Sequence, residues 1–86
     1  MRTVTNVTDV RLFVRVAPAS IALRSIDQYI PANTRIEIAE RAESLYYDHR
    51  PGNSAIQVKW DGIIPGQGDY GEYFVLESEL RYVATI

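Results

Sequence analysis

Cysteine is absent from all 86 residues, which excludes disulfide staples and thiolate metal ligands and leaves an ordinary hydrophobic core as the expected source of stability. Histidine, tryptophan, methionine and lysine each occur once. The lone His49 has no second histidine or cysteine to join it as a ligand and only Asp48 as its neighbouring acid, so beside "RPGN" it reads as a surface-turn residue rather than a metal ligand or the base of a Ser-His-Asp arrangement, although Ser20, Ser25, Ser44, Ser54 and Ser78 are present. No cofactor is therefore expected, and an enzyme is the least expected class. Long apolar runs are missing too, which excludes a membrane-spanning helix. The opening "MRTVTNVTDVRLFVRV" has no apolar core or small-residue cleavage site of a secretory signal. A cytoplasmic protein is the simplest expectation.

What is present fits one small globular domain covering 1–86. The apolar share of 47% is ordinary, and a stability of about 4 to 13 kcal/mol is expected for this length. The net charge is −2, unevenly spread. Residues 1–35 hold five arginines against Asp9 and Asp27, whereas 36–86 hold nine acids against Arg41, Arg50, Lys59 and Arg81. This division argues against a duplex nucleic-acid binder, which would carry a net basic stripe, and weakly for a protein partner of mixed charge.

Period-two alternation predicts strands. Val10, Leu12, Val14 and Val16 fall on one face of the first, with Arg11, Phe13 and Arg15 on the other. The β-branched Thr3, Val4, Thr5, Val7 and Thr8 read as a lead-in strand ending near Asn6 or Asp9, and an exposed outer edge from Thr3 to Thr8 could pair with another copy. Residues 18–30, bounded by Pro18 and Pro31, read as a long loop touching the core through Ile21, Leu23, Ile26 and Ile30. Ile36 and Ile38 mark a second strand, preceded by Asn33, a residue tolerant of positive φ. Ala39 to Tyr46 reads as one short helix or as a strand extension. "RPGNS" reads as a turn. "AIQVKW" gives a third strand, with Ile56, Val58 and Trp60 facing in. Tyr73 to Val75 and Tyr82 to Ile86 give two more, separated by a turn at "ESEL".

Between the Trp60 strand and the Tyr73 strand lies "GQGDYG", Gly66 to Gly71, which satisfies the G-x-G-x-x-G spacing of dinucleotide-binding loops. That motif needs a following helix and an acid some 20 residues further on. The chain after Gly71 reads as strand and only 15 residues remain. The glycines are therefore expected to build a hairpin loop that presents Asp69, Tyr70 and Glu72 on a mobile arm. Asp61, Asp69 and Glu72 read as solvated turn acids rather than a calcium site.

Aromatic residues are the best functional candidates, because six tyrosines, two phenylalanines and one tryptophan exceed what so small a core can hide. Phe13, Tyr46, Tyr47, Trp60, Tyr70 and Tyr73, with Asp69 and Glu72 at the rim, are the expected partner-binding residues. Tyr46 and Tyr47 have an alternative role in a satellite core.

The order of motifs also resembles bacterial Src-homology-3-like (SH3-like) domains. Leu12, Val14, Arg15 and Pro18 are similar to the L-N-V-R-S-G-P opening of that family. Ile26 and Ile30 resemble its next apolar segment, and Thr34, Ile36 and Ile38 its K-G-T-x-V-x-V. "IQVKWDG" is similar to the family's central strand, and Phe74, Val75 and Leu80 to its closing W-V-x-x-x-Y-L. The resemblance runs from about Leu12 to Tyr82. It implies an all-β, antiparallel SH3-like barrel of five to six strands. The function expected is that of a non-enzymatic intracellular interaction module, such as a small accessory or inhibitory factor of phage type. The alternatives are cell-wall glycan or peptide binding, as in secreted members of the family, and single-stranded nucleic-acid binding through Arg11, Arg15, Arg24 and Phe13.

Overall fold

The computed structural model describes residues 1–84 and is built entirely of strands and turns. Among those residues there is no helix, and so none long and apolar enough to cross a membrane. The elements are β1 (Arg2–Asn6), β2 (Val10–Arg15), β3 (Leu23–Ile30), β4 (Arg35–Ile38), β5 (Glu43–Tyr47), β6 (Arg50–Lys59), β7 (Tyr73–Leu76) and β8 (Tyr82–Ala84). They form one sheet in the order β3-β2-β7-β6-β4-β1-β8, with every named pairing antiparallel. β5 leaves this path and pairs with the first half of β6. The sheet has eight strands rather than five or six, and its two terminal strands, β3 and β8, do not meet. The last two residues of the expected terminal strand, Thr85 and Ile86, lie outside the described residues.

Several expectations are corrected. The segment 18–30 is not a loop, because Leu23–Ile30 pairs with β2. Its weak alternation comes from a register shift between Arg11 and Phe13 that puts extra residues of β3 opposite β2, which turns side chains off the regular period. Ala39 to Tyr46 is not helical: its second half is β5, held against β6 from Glu43 to Tyr47. Two turns of helix without tertiary support lose to a ladder that also buries Leu45. "RPGNS" is not the turn, but the start of β6.

The hairpin bends instead at Asp48 and His49, two residues between the paired Tyr47 and Arg50, both with positive φ of 54° and 59°. These are the marks of a type I′ turn, which favours Asn-Gly because a Cβ is unfavourable there. Replacing Asp48-His49 by Asn-Gly should raise stability by about 0.5 to 1 kcal/mol, seen as a higher urea midpoint. A lower midpoint would mean that the turn conformation is misread. The positive φ of Asn33, 64°, agrees with its residue type.

Hydrophobic side chains gather into two clusters. The larger joins Val4, Val10, Leu12, Ile30, Ile36, Ile38, Ile56, Val58, Val75 and Leu80. The smaller joins Phe13, Leu23, Leu45, Ala55, Phe74 and Leu76. Strands β2, β6 and β7 contribute to both, so both of their faces are covered. This is why "LFV" and "YFVL" are unbroken apolar runs, as buried strands are. Phe13, expected to point outward, is fully buried. Val16, expected inside, is 47% exposed because β2 ends before it.

β1 is also unlike its expectation. It lies between β4 and β8, so the edge from Thr3 to Thr8 is not free. Its register is fixed by Asn6, which is wholly buried. The Asn6 amide donates to the carbonyls of Thr8 and Pro31, each at 2.9 Å, and its oxygen accepts from the Thr34 N–H at 2.9 Å. Asn6 N–H and C=O pair with Thr34 C=O and Asn33 N–H.

Candidate functional site

β6 delivers Trp60 to the start of the loop that leads to β7. There the chain turns, with Ile63 N–H reaching back toward the Trp60 carbonyl at 3.4 Å. Gly62 is required by packing rather than by φ: a Cβ at this position would overlap the six-membered ring of the Trp60 indole. The indole thus lies flat on the backbone of its own turn. Trp60, Ile63 and Tyr73 are half-buried against the larger cluster. With Val58, Lys59, Asp61, Pro65 and Gly71 they line an open cleft of about 340 Å³. Beside it Ile64 is 71% exposed and Tyr70 is 47% exposed.

The loop carrying these side chains is tied down. The Gln28 amide donates to the Ile64 carbonyl at 2.6 Å and accepts from the Ile64 N–H at 2.9 Å, in the manner of a neighbouring strand. Asp69, expected on a mobile arm, has a side chain only 5% exposed. It accepts from Gly66 N–H at 2.8 Å and from Arg24 Nη2 at 3.1 Å. The Tyr73 hydroxyl makes a longer 3.5 Å contact to it. Burial first, and then the adjacent Asp69 carboxylate, push the Tyr73 phenol above its usual 10.0, because both disfavour the phenolate. Gly68, at φ +83°, supplies the backbone bend that closes the Gly66–Asp69 turn. "GQGDYG" is therefore an internally bonded turn packed onto β3.

Glu72 is also engaged within the fold. Its carboxylate accepts from Arg15 Nε at 3.1 Å, while Arg15 Nη2 reaches Glu43 at 3.0 Å and Nη1 donates to the Ser20 carbonyl at 2.6 Å. The guanidinium also sits over the Phe74 ring, 4.9 Å from its centre. All three Arg15 nitrogens are occupied in joining β2, β5 and the β6–β7 loop.

The expected partner-binding residues therefore separate. Trp60 and Tyr73 meet at the cleft, with Tyr70 on the same loop. Asp69 and Glu72 brace that loop. Phe13 and Tyr47 meet elsewhere, edge to face at 4.7 Å between ring centres, with Phe13 in the smaller cluster and Tyr47 packed on it. Tyr47 thus takes the satellite-core role, whereas Tyr46 is 42% exposed and lines a second cleft with Val16, Arg24 and His49. Phe13, fully buried, offers no surface to a partner.

Ile64, Pro65 and Gln28 escaped the sequence reading. The signal for the first two was "GIIPG", an apolar pair set among turn residues where no strand could bury it. Gln28 had no signal, because its role depends on a loop 36 positions away. Compared with known proteins, the chain matches no family model, no curated protein and no solved structure.

Proposed function

We propose that this chain is a non-enzymatic, intracellular protein-interaction module that seats an extended segment of a larger protein in the Trp60–Tyr73 cleft, as an accessory or inhibitory factor. The observation that carries this reading is the pairing of a braced aromatic cleft with an adjacent, largely exposed Ile64. Apolar side chains held on a loop by Gln28 and Asp69 lose little freedom on binding, which favours affinity. Tyr and Trp at the centre of a small apolar patch are the residue types that dominate docking energies.

The fold proposed beneath this function is a relative of the small SH3-like barrel. Its support is the run β5-β6-β7-β2-β3, which pairs in sequence. An isolated parallel bridge from Ala22 to Tyr46 brings the two ends of that run together. β4, β1 and β8 then extend it from the second half of β6.

Selection from a random-peptide display library, followed by amide and indole shift mapping, tests the docking reading. Shifts are expected to centre on the Trp60 indole, Ile64 and Tyr73. Ile64→Asp should weaken the selected peptides at least tenfold, about 1.4 kcal/mol, while Tyr46→Ala leaves them unchanged. Shifts centred on Tyr46 and His49, or depletion of the protein by sedimented peptidoglycan without peptide selection, would overturn it.

A further inference from the structure

The two ends of the sheet are treated differently. β3 is covered by the chain itself: Gln28 brackets the Ile64 backbone, Arg24 pairs with Asp69, and Ala22 bridges to Tyr46. β8 pairs with β1 on one side, and among the described residues no strand pairs with its other side. Tyr82, Val83 and Ala84 are all exposed, with no charge, proline or glycine among them. Charge and proline are among the devices that protect an edge from pairing, and its length of three residues is the protection this strand has.

The phase of the ladder decides which backbone groups this edge presents. Thr5 stands opposite Val83 and Asn6 opposite Tyr82. One step further, Val7 N–H donates to the Arg81 carbonyl at 2.8 Å. Bonded and non-bonded pairs alternate along an antiparallel ladder, so Val83 directs its backbone groups at Thr5. Tyr82 and Ala84 direct theirs away from β1, at the open edge.

From this we infer that β8 is a homodimer edge, on which β8 of a second copy pairs antiparallel about a two-fold axis through Val83. In that register Tyr82 faces Ala84 of the second copy, and the outward N–H and C=O groups of each bond those of the other. A large side chain then lies against a small one on both sides of the axis, which is the self-complementarity a two-fold interface needs. Arg2 already holds the Tyr82 ring on this edge, stacked at 5.3 Å and donating to its hydroxyl at 2.6 Å. Val83 meets its own copy as a non-bonded pair, the arrangement in which side chains approach most closely, with about 4.5 Å between Cα atoms. The result is one sheet continuous through both protomers. This inference does not depend on the Trp60 cleft.

Sedimentation equilibrium of the full chain from about 10 μM to about 1 mM, the range suited to a small interface, should show the mass rising from 9.8 kDa toward twice that value. Val83→Lys and Val83→Glu should each weaken association at least tenfold by placing like charges across the axis. An equimolar mixture of the two should associate again, which shows that neither lost the dimer by unfolding. Ala84→Pro should also be monomeric, since it removes an outward N–H and leaves the bonds to β1 intact. A wild-type chain that stays at 9.8 kDa, a dimer indifferent to Val83→Lys, or a mixture that fails to re-associate would each overturn the inference.

Discussion

Asn6→Ala is expected to lower the unfolding free energy by about 3 kcal/mol. The side chain occupies a fully buried site, and its three hydrogen bonds join the β1 end, the Pro31 corner and the entry to β4. Alanine leaves the Thr8 carbonyl and the Thr34 N–H without their partner, whereas the Pro31 carbonyl keeps the Thr34 hydroxyl as a donor at 2.6 Å. The cost is the desolvation of those groups rather than the modest net value of the bonds. Asn6→Asp should be at least as harmful near neutral pH, because a carboxylate would face two carbonyl oxygens in a buried site. Its stability should partly recover in acid, where the protonated group can donate once. Urea unfolding followed by Trp60 fluorescence measures all three proteins. A loss below about 0.5 kcal/mol for Asn6→Ala, the scale of an ordinary surface change, would show that the amide is not the fastener described.

Arg15→Ala should cost about 2 kcal/mol. The two ion pairs supply the smaller part, because Glu43 and Glu72 are 46% and 43% exposed and water screens them. The larger part is the Ser20 carbonyl left without its donor and the Phe74 ring left without its cover. Arg15→Lys should rescue little, since one ammonium cannot reach three acceptors set around a planar fork. Urea unfolding in low and high salt separates the contributions. Most of the loss should survive 1 M salt, where exposed charge pairs are screened within about 3 Å. Loss of the whole effect in salt would reassign Arg15 to surface electrostatics.

Both residues illustrate where the sequence could be read and where it could not. Arg15 falls on the polar phase of an alternating strand, so it reads as solvent-facing and as a candidate for nucleic-acid contact. It is only 11% exposed, because β5 and the β6–β7 loop close over it. Phe13 fails for the same reason. An alternation rule assumes one wet face, and β2 has none from Leu12 to Val14, which the consecutive "LFV" signalled more faithfully than Arg11 and Arg15. Val10, Leu12, Val14, Ile36, Ile38, Ile56 and Val58 were legible because they fall on every second position of their strands and their burial follows the pleat.

The site was legible in type but not in membership. Trp60, Tyr70 and Tyr73 stand out as aromatics beyond the capacity of a small core. Asp69 and Glu72 read as presented acids because acids beside glycines usually are, yet each is recruited by an arginine distant in sequence, Arg24 and Arg15. The Ile64 backbone is held by Gln28, 36 positions away, while its side chain is 71% exposed.

Composition and local pattern by themselves determined a mostly β chain without disulfides, most strand positions, the positive φ at Asn33, and a strand rather than a helix after "GQGDYG". These follow from chemistry within a few residues: alternation, turn propensity, and the lack of a helix after Gly71. Tertiary structure alone decided that the second half of Ala39 to Tyr46 joins a strand, that Phe13 lies inside, that Asn6 fastens three segments, and that β1 is paired on both sides. Each of these depends on which distant segment supplies the hydrogen-bond partner or the covering surface, and no local pattern carries that information.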